Sequence, residues 1–493
     1  MLSKISATLV HGTLNKAGKI ALIFSIIGIS FSFGENVRAE SSVFDQSKSV
    51  SYNGKSYAVT WVTVDLKDPT LRVKPVTAVT GIGHVESFSS MMQRNHAAAG
   101  INGAFFDAYE ADDSQRFPNG LMIKSGQVMH SGENQAFTVL PDKTGIVQRI
   151  KTGMKVSVKH GGSSYTFEPW GVNKYYGSSQ IDQVVWYTED FGSSIDFPGT
   201  TKIVIEESKI KTITQNSAAI PIDGQVVMVG NSSNNTKNLL PHLHVGDPIA
   251  VSSSSLNSDT GLMMGLPQID AAVGAGPLLL KNGIIDINTQ RDGFTDPKIT
   301  TNANGRSFIG TDGLGRLVMG TMSSATISNM AGVLKQLGFT DAMNLDGGSS
   351  SALYSNGVEL TSPGRLLSNA FIVERMPQAQ IQIAVNGQFV NEFRGYLQTE
   401  TTMVPLRGIL ERIGADFKWD GNAKSLTVKH GNQQLFLRVG EKAVQVNGKS
   451  QGLVEAPIII DGHIYLPLRA VIESLGGQVS WDQNLYRASL SIP

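Results

Sequence analysis

Two stretches of this 493-residue chain bring a carboxylate together with glycines and carboxamides. One is Met343-Asn344-Leu345-Asp346-Gly347-Gly348-Ser349-Ser350-Ser351. Successive glycines let a backbone approach a ligand closely and can turn N–H groups toward an anion. The serines add hydroxyl donors, and Asp346 can serve as acid, base or nucleophile. The other stretch is Ala99-Gly100-Ile101-Asn102-Gly103-Ala104-Phe105-Phe106-Asp107, an apolar run that ends in asparagine plus glycine. The same residue types also suit a tight turn in which Asp346 bonds its own backbone, and local composition leaves both readings open. Glu86 could be a second carboxylate, or a charge that favours a helix start. Asp107 is either a site acid or a turn residue. Asp107, Glu110, Asp112 and Asp113 lack the glycine-punctuated spacing of a calcium loop and read as a solvated acidic loop.

The elements that must position these residues are mostly strands. Alternating runs separated by Gly, Asn, Asp and Ser fall at Tyr57–Val64, Thr138–Leu140, Val184–Thr188, Lys202–Glu206 and Gln225–Val229. Thr311-Asp312-Gly313-Leu314-Gly315 reads as a hairpin turn. Two helices are expected, at about Ser87–Ala98 and Ala325–Leu337, the second with Ile327, Met330, Ala331, Leu334 and Leu337 on one face and Gly338 as its stop. Each helix feeds one of the two chemical stretches. If the strands that follow share one sheet and run the same way, their ends deliver Asn102 and Asn344–Asp346 to a common edge. The expected class is α+β, a strand-rich mixed domain with two main helices.

Composition narrows the rest. Forty-one basic residues balance 41 acidic ones, which argues against a polyanion-binding surface and hence against nucleic acid. Hydrophobic residues at 41% exclude a disordered chain, and the length implies more than one domain. With no cysteine, disulfides, thiolate zinc sites and cysteine nucleophiles are ruled out. Residues 1–39 read as an export signal: Lys4, Lys16 and Lys19 precede the apolar run Ile20–Phe33, and Val37-Arg38-Ala39 offers a cleavage site. That run is short of the ~20 residues a membrane span needs. Cleavage leaves 37 basic and 40 acidic residues, in a protein expected to be secreted or cell-wall associated, with no membrane contact.

After a short linker at 377–380 the sequence repeats itself over 381–493. Pro405, Leu406, Arg407, Glu411, Gly414, Trp419 and Asp420 recur 62 positions later as Pro467, Leu468, Arg469, Glu473, Gly476, Trp481 and Asp482. Val385-Asn386-Gly387 recurs as Val446-Asn447-Gly448. Each unit reads as a hairpin turn, a strand, a short helix opened by proline at its first position and stopped by glycine, then paired strands. Two such β-helix-β units, each too small for a core, should form one small α+β domain. His242 and His244 lie close together in a Pro-flanked loop, which reads as a turn rather than a ligand set.

The repeat resembles the copper amine oxidase N-terminal-like, or stalk, domain. The chain offers neither a three-histidine copper site nor the sequence context of a quinone-forming tyrosine, so the region is expected to be a non-catalytic module that either binds cell-wall polymer or acts as a spacer. Residues 40–376 resemble the phosphodiester glycosidase family through Ile101–Asp107, Gly274–Gly283, Arg306–Gly310, Met343–Tyr354 and Gly364–Ala370 in that order. The resemblance implies hydrolysis of a sugar-1-phosphodiester, with a sugar-phosphate or glycan as substrate. It places Asp346 as the carboxylate at the anomeric centre, with Glu86 and Asp107 as further catalytic candidates. Arg306 is the expected phosphate ligand. Asn102, Gly103, Asn344, Gly347, Gly348 and Ser349 complete the expected substrate contacts. No cofactor or metal ligand is expected, and a divalent cation stays open. A non-catalytic envelope glycan-binding protein and a phosphodiesterase cutting the other ester bond are the alternatives.

Overall fold

Side-chain alternation along a few strands sets the layering at the centre of the chain. A computed structural model describes residues 41–492 other than 223, 461 and 462, so the export signal expected at 1–39 lies outside the described residues. In the strand Asn304–Asp312, Phe308 packs under the helix Ile327–Gln336, and its neighbour Ile309 enters a core between two sheets. In the strand Asn369–Arg375, Ala370 and Ile372 meet the helix Phe88–Arg94, whereas Phe371 and Val373 enter that same central core. The order is therefore helix, sheet, sheet, helix. Gly100 completes the outer packing, because a Cβ there would collide with the Met92 sulfur.

The first sheet has seven antiparallel strands, in the order Val43–Tyr52, Lys55–Val64, Leu317–Ala325, Asn304–Asp312, Phe339–Asn344, Leu278–Lys281, Ile284–Ile285. The second has five, in the order Val358–Thr361, Leu353–Ser355, Ala97–Asn102, Asn369–Arg375, Leu71–Thr77. The strands Ala97–Asn102 and Phe339–Asn344 thus lie in different sheets, which corrects the expectation of one shared sheet. The first helix is also shorter than expected. Ser87 caps it through its hydroxyl, but Asn95 ends it and His96 takes a left-handed φ of 47°. The apolar Ala97–Ala99 run is drawn into the sheet instead, tertiary packing overriding helix propensity. Thr326 caps the second helix, and Gly338 stops it at φ 85°.

Residues 122–275 add a meander built on the 16-residue strand Gly145–His160, and a separate five-stranded sheet that includes Thr200–Glu206 and Gln225–Gly230. Beyond residue 380 the chain gathers a core of its own from Ile381, Ile409, Leu410, Leu435, Val471, Ile472 and Leu490, among others. Asn386-Gly387 and Asn447-Gly448 both make turns with two positive φ values. The helices Leu406–Arg412 and Leu468–Ser474 begin one residue later than expected, because Pro405 and Pro467 are extended cap residues rather than first helical residues. The 377–380 segment is pinned at both ends: Met376 N–H donates to Thr70 O and Gln380 N–H to Pro69 O, each at 2.8 Å. Arg394 then reaches back to pair with the buried Asp270. No helix among the described residues is long and apolar enough to cross a membrane.

Candidate active site

The Asp346 segment is a crossover between the two central sheets. The chain leaves the first sheet at Asn344, makes a short 3-10 turn at Gly348–Ser350, and enters the second sheet at Leu353–Ser355, beside Ala97–Asn102. The two chemical stretches therefore do meet, but across the sheet sandwich rather than along one edge. Asp346 N–H donates to Gly103 O at 3.3 Å, and Asn102 Nδ2 donates to Asp346 O at 2.6 Å. Asn102 Oδ1 accepts from the Ser307 hydroxyl at 2.7 Å and from Ala352 N–H at 3.0 Å. Asn102 is 1% exposed, so it grips the crossover from behind.

Asn344 plays a similar part on the other flank. Its Nδ2 donates to Gly276 O at 2.9 Å, and its backbone exchanges hydrogen bonds with Gly276 and Pro277. Gly103 has no room for a side chain, since a Cβ would strike the Asn369 carboxamide that also holds Ala104 N–H at 2.7 Å. Gly347 passes close to the neighbouring strand, where a Cβ would lie 2.7 Å from Gly305 O. Gly348 sits at φ 62°, beside open space. Asn344 Oδ1, Ser351 Oγ and Ser368 Oγ are buried with no hydrogen-bond partner.

The electrostatics single out Asp346. Burial pushes its carboxyl up to about 6, and hydrogen bonds from the Ser350 hydroxyl and the Gly347 N–H, with the charge of Arg365, offset only part of that rise. The Gly347 N–H lies 2.8 Å from Asp346 Oδ1, so it serves the carboxylate rather than standing free for an anion. Arg365 also bonds the exposed Tyr109, its guanidinium 5.1 Å from the ring centre, and Lys298 Nζ lies 5.4 Å from the same ring. Arg365 and Lys298 thus share the Tyr109 ring, and the Arg365 charge reaches the Asp346 carboxyl.

The other candidates lie elsewhere or are engaged. Arg306 is buried, with Nε donating to Ala325 O at 2.8 Å and a terminal nitrogen donating to Asn302 O. Its backbone runs beside Gly347, but its guanidinium braces strand ends. Glu86 is held by Arg94, accepts from Val79 N–H at 3.0 Å, and bridges to Leu367 through its backbone. Asp107 is exposed, with Oδ1 accepting from Asn119 Nδ2 at 3.1 Å. Ser349 is exposed at the turn, its carbonyl accepting from Gly364 N–H at 2.8 Å. Asp112 folds onto Ser114 and Gln115 within its own loop. Arg365, Lys298 and Tyr109 were not singled out by sequence reasoning, and Ser350 only as one of three hydroxyl donors. Arg365 lies in the Gly364–Ala370 motif, which was a usable signal; nothing local marks Lys298 or Tyr109.

The comparisons with known proteins agree with the order of these regions. Among curated proteins, a protease inhibitor of Brevibacillus choshinensis is 28% identical over 105 residues, 21% of this chain and 32% of that protein, so the match spans about a third of the relative. Among solved structures, a hypothetical protein from Synechocystis superposes with a TM-score of 0.57 at 22% identity, over 67% of this chain and 62% of the other. A protein from Burkholderia pseudomallei K96243 gives 0.53 at 18% identity, over 65% and 74%. These likenesses show a shared fold. Asn102 and Asp107 precede the matched family span, and Asn102 joins it through its bonds to Asp346 and Ala352. The chain carries, in order, a match to the phosphodiester glycosidase family over residues 200–374 and a match to the copper amine oxidase N-terminal domain over residues 384–490.

Proposed function

We propose that the chain is an exported hydrolase that cleaves the glycosidic bond of a sugar-1-phosphodiester, on a cell-envelope or extracellular glycan. The observation that carries this reading is Asp346: a carboxyl poised at about 6, fixed by Ser350 and Gly347 and faced by Arg365. In the proposed reaction the bond from the anomeric carbon to the phosphate oxygen breaks with its electron pair leaving on phosphate, and the Asp346 carboxylate stabilises the oxocarbenium-like charge. Water adds its hydroxyl to that carbon and releases a proton to solvent. The leaving group is a phosphomonoester, a stable anion, so its departure calls for cations more than for a strong acid. Arg365 and Lys298 supply that charge, and Arg365 can take two phosphate oxygens at once. Tyr109 holds the two cations together. Asn102 and Asn344 position the crossover. In this reading residues 40–376 form the catalytic domain and 381–493 a spacer that holds it at the wall.

The test is hydrolysis in oxygen-18 water, on a panel of sugar-1-phosphodiesters. Label in the sugar is the expected outcome, with turnover falling at least ~1000-fold in Asp346→Asn, about 4 kcal/mol of transition-state stabilisation. Label in phosphate would instead mark a phosphodiesterase. Glycan binding without turnover would mark a non-catalytic protein.

A further inference from the structure

A second cluster lies outside this site, where the long strand Gly145–His160 ends. We propose that His160, His244 and Asp247 form a binding site for a zinc-class divalent ion. His242 and His244 are neighbours in sequence but part company in space. The His242 ring stacks on Tyr165, with centres 4.0 Å apart, whereas the His244 ring stacks on His160 at the same spacing. Asp247 lies between the second pair. Its Oδ1 is 2.8 Å from His160 Nδ1, and its Oδ2 is 3.3 Å from His244 Nδ1. One ligand atom from each of the three side chains lies within 4.8 Å of the others.

The chemistry of the donor set fixes the class of ion. Two imidazole nitrogens and one carboxylate oxygen suit zinc and its borderline neighbours; calcium and magnesium prefer shells of oxygen. Zinc binds such nitrogens at ~2.0–2.1 Å, so modest side-chain rotation closes the three ligands on one ion. Both histidines direct Nδ1 at the same carboxylate, so an ion placed there replaces two N–H protons. The backbone is already set. Lys159 N–H donates to Pro248 O, Ile210 N–H donates to Asp247 O, and Gly246 N–H donates to Ile210 O, all within 3.0 Å. These bonds stitch the 244–248 turn to strands on both sides. The histidine side chains are 56% and 48% exposed, which gives the ion a way in and leaves a position for water. Bound metal would tie the end of the long strand to that turn.

The experiment is a titration of tag-free, chelator-stripped full chain with Zn2+ alone, followed by calorimetry and by imidazole nitrogen NMR. One ion per chain is expected, with Nδ1 of His160 and His244 shifting together and the melting temperature rising by a few degrees, as binding to the folded state requires. His160→Ala and His244→Ala should each weaken binding at least ~10-fold, since each removes one of three ligands. His242→Ala should leave it intact, and Ca2+ should not compete. The proposal is overturned if no stoichiometric binding occurs, if the shifts appear on other histidines, or if His242→Ala is the variant that loses the ion.

Discussion

Asp270 is fully buried and Asp346 half-buried, and the chain treats them in opposite ways. Burial alone would raise the Asp270 carboxyl, yet Arg394, Lys143 and Arg72 surround it and hold it below the ordinary range. The three cations come from both sides of the 377–380 segment, so this carboxylate is a tie between the two parts of the chain. Asp346 has one cation, Arg365, and two hydrogen bonds, too little to offset its burial. A stabilising carboxylate is over-supplied with partners. Asp346 is kept short of them, the arrangement the proposed role at an anomeric carbon would need.

The largest expected effect comes from breaking the first arrangement. Asp270→Asn leaves three cations gathered with only Glu374, near Arg72, to offset them and should cost ~3–5 kcal/mol of unfolding free energy. Denaturant titration measures it, and a loss under 1 kcal/mol would deny Asp270 its role as a tie. Because its folded-state pKa is depressed, the contribution is present above the ordinary carboxylate range and is lost as pH falls through the folded value.

The second arrangement predicts the opposite sign. The folded Asp346 carboxyl titrates near 6 and the unfolded one near 3.8, so the native state binds the extra proton between those values. Wild-type stability should therefore fall as pH climbs from about 4 to about 6, and stay lower above that. Asp346→Asn has no such penalty and should be more stable than wild type by ~1–3 kcal/mol at pH 8, the gap closing at pH 4. Equal stability of the two proteins across that range would remove the electrostatic strain from the account. A smaller effect should follow Arg365→Ala: a rise in KM for the phosphodiester of ~10–100-fold, or ~1.4–2.8 kcal/mol. The pH midpoint of turnover should move above that of wild type, because the offsetting charge is gone. An unchanged midpoint would place Arg365 outside the reach of Asp346.

Much of the scaffold could be read from local pattern. Alternation marked Tyr57–Val64 and Gln225–Val229, and Thr311–Gly315 turns with Gly315 at a φ of 75°. Asp346 and Asn102 stood out because each lies where an apolar run ends in glycine, although that pattern equally suits a turn. Sheet membership did not stand out, since a strand's composition says which faces are buried and not which neighbour pairs with it. The same limit hid the partners of Asp346. Arg306 and Arg365 are both arginines near glycine, and only the fold shows that one guanidinium is spent on backbone carbonyls while the other lies over Tyr109 with its charge felt at Asp346. The histidines show it again, His160 and His244 being joined by strand pairing across 84 residues of sequence.

The crossover at Asp346 also sets when the proposed site can be complete. Its clamps span great lengths of chain: Asn102 to Asp346 is 244 residues, and Ala104 to Asn369 is 265. During synthesis the Asn102 strand emerges first and must wait for nearly the whole remaining domain before its partners exist. Such contacts of high sequence order form late and slowly. A nascent or truncated chain ending before residue 369 therefore lacks a working site, however well its early strands have paired. Recovery of hydrolysis after dilution from denaturant would accordingly be a clock for the completed sandwich, lagging behind any signal from local structure.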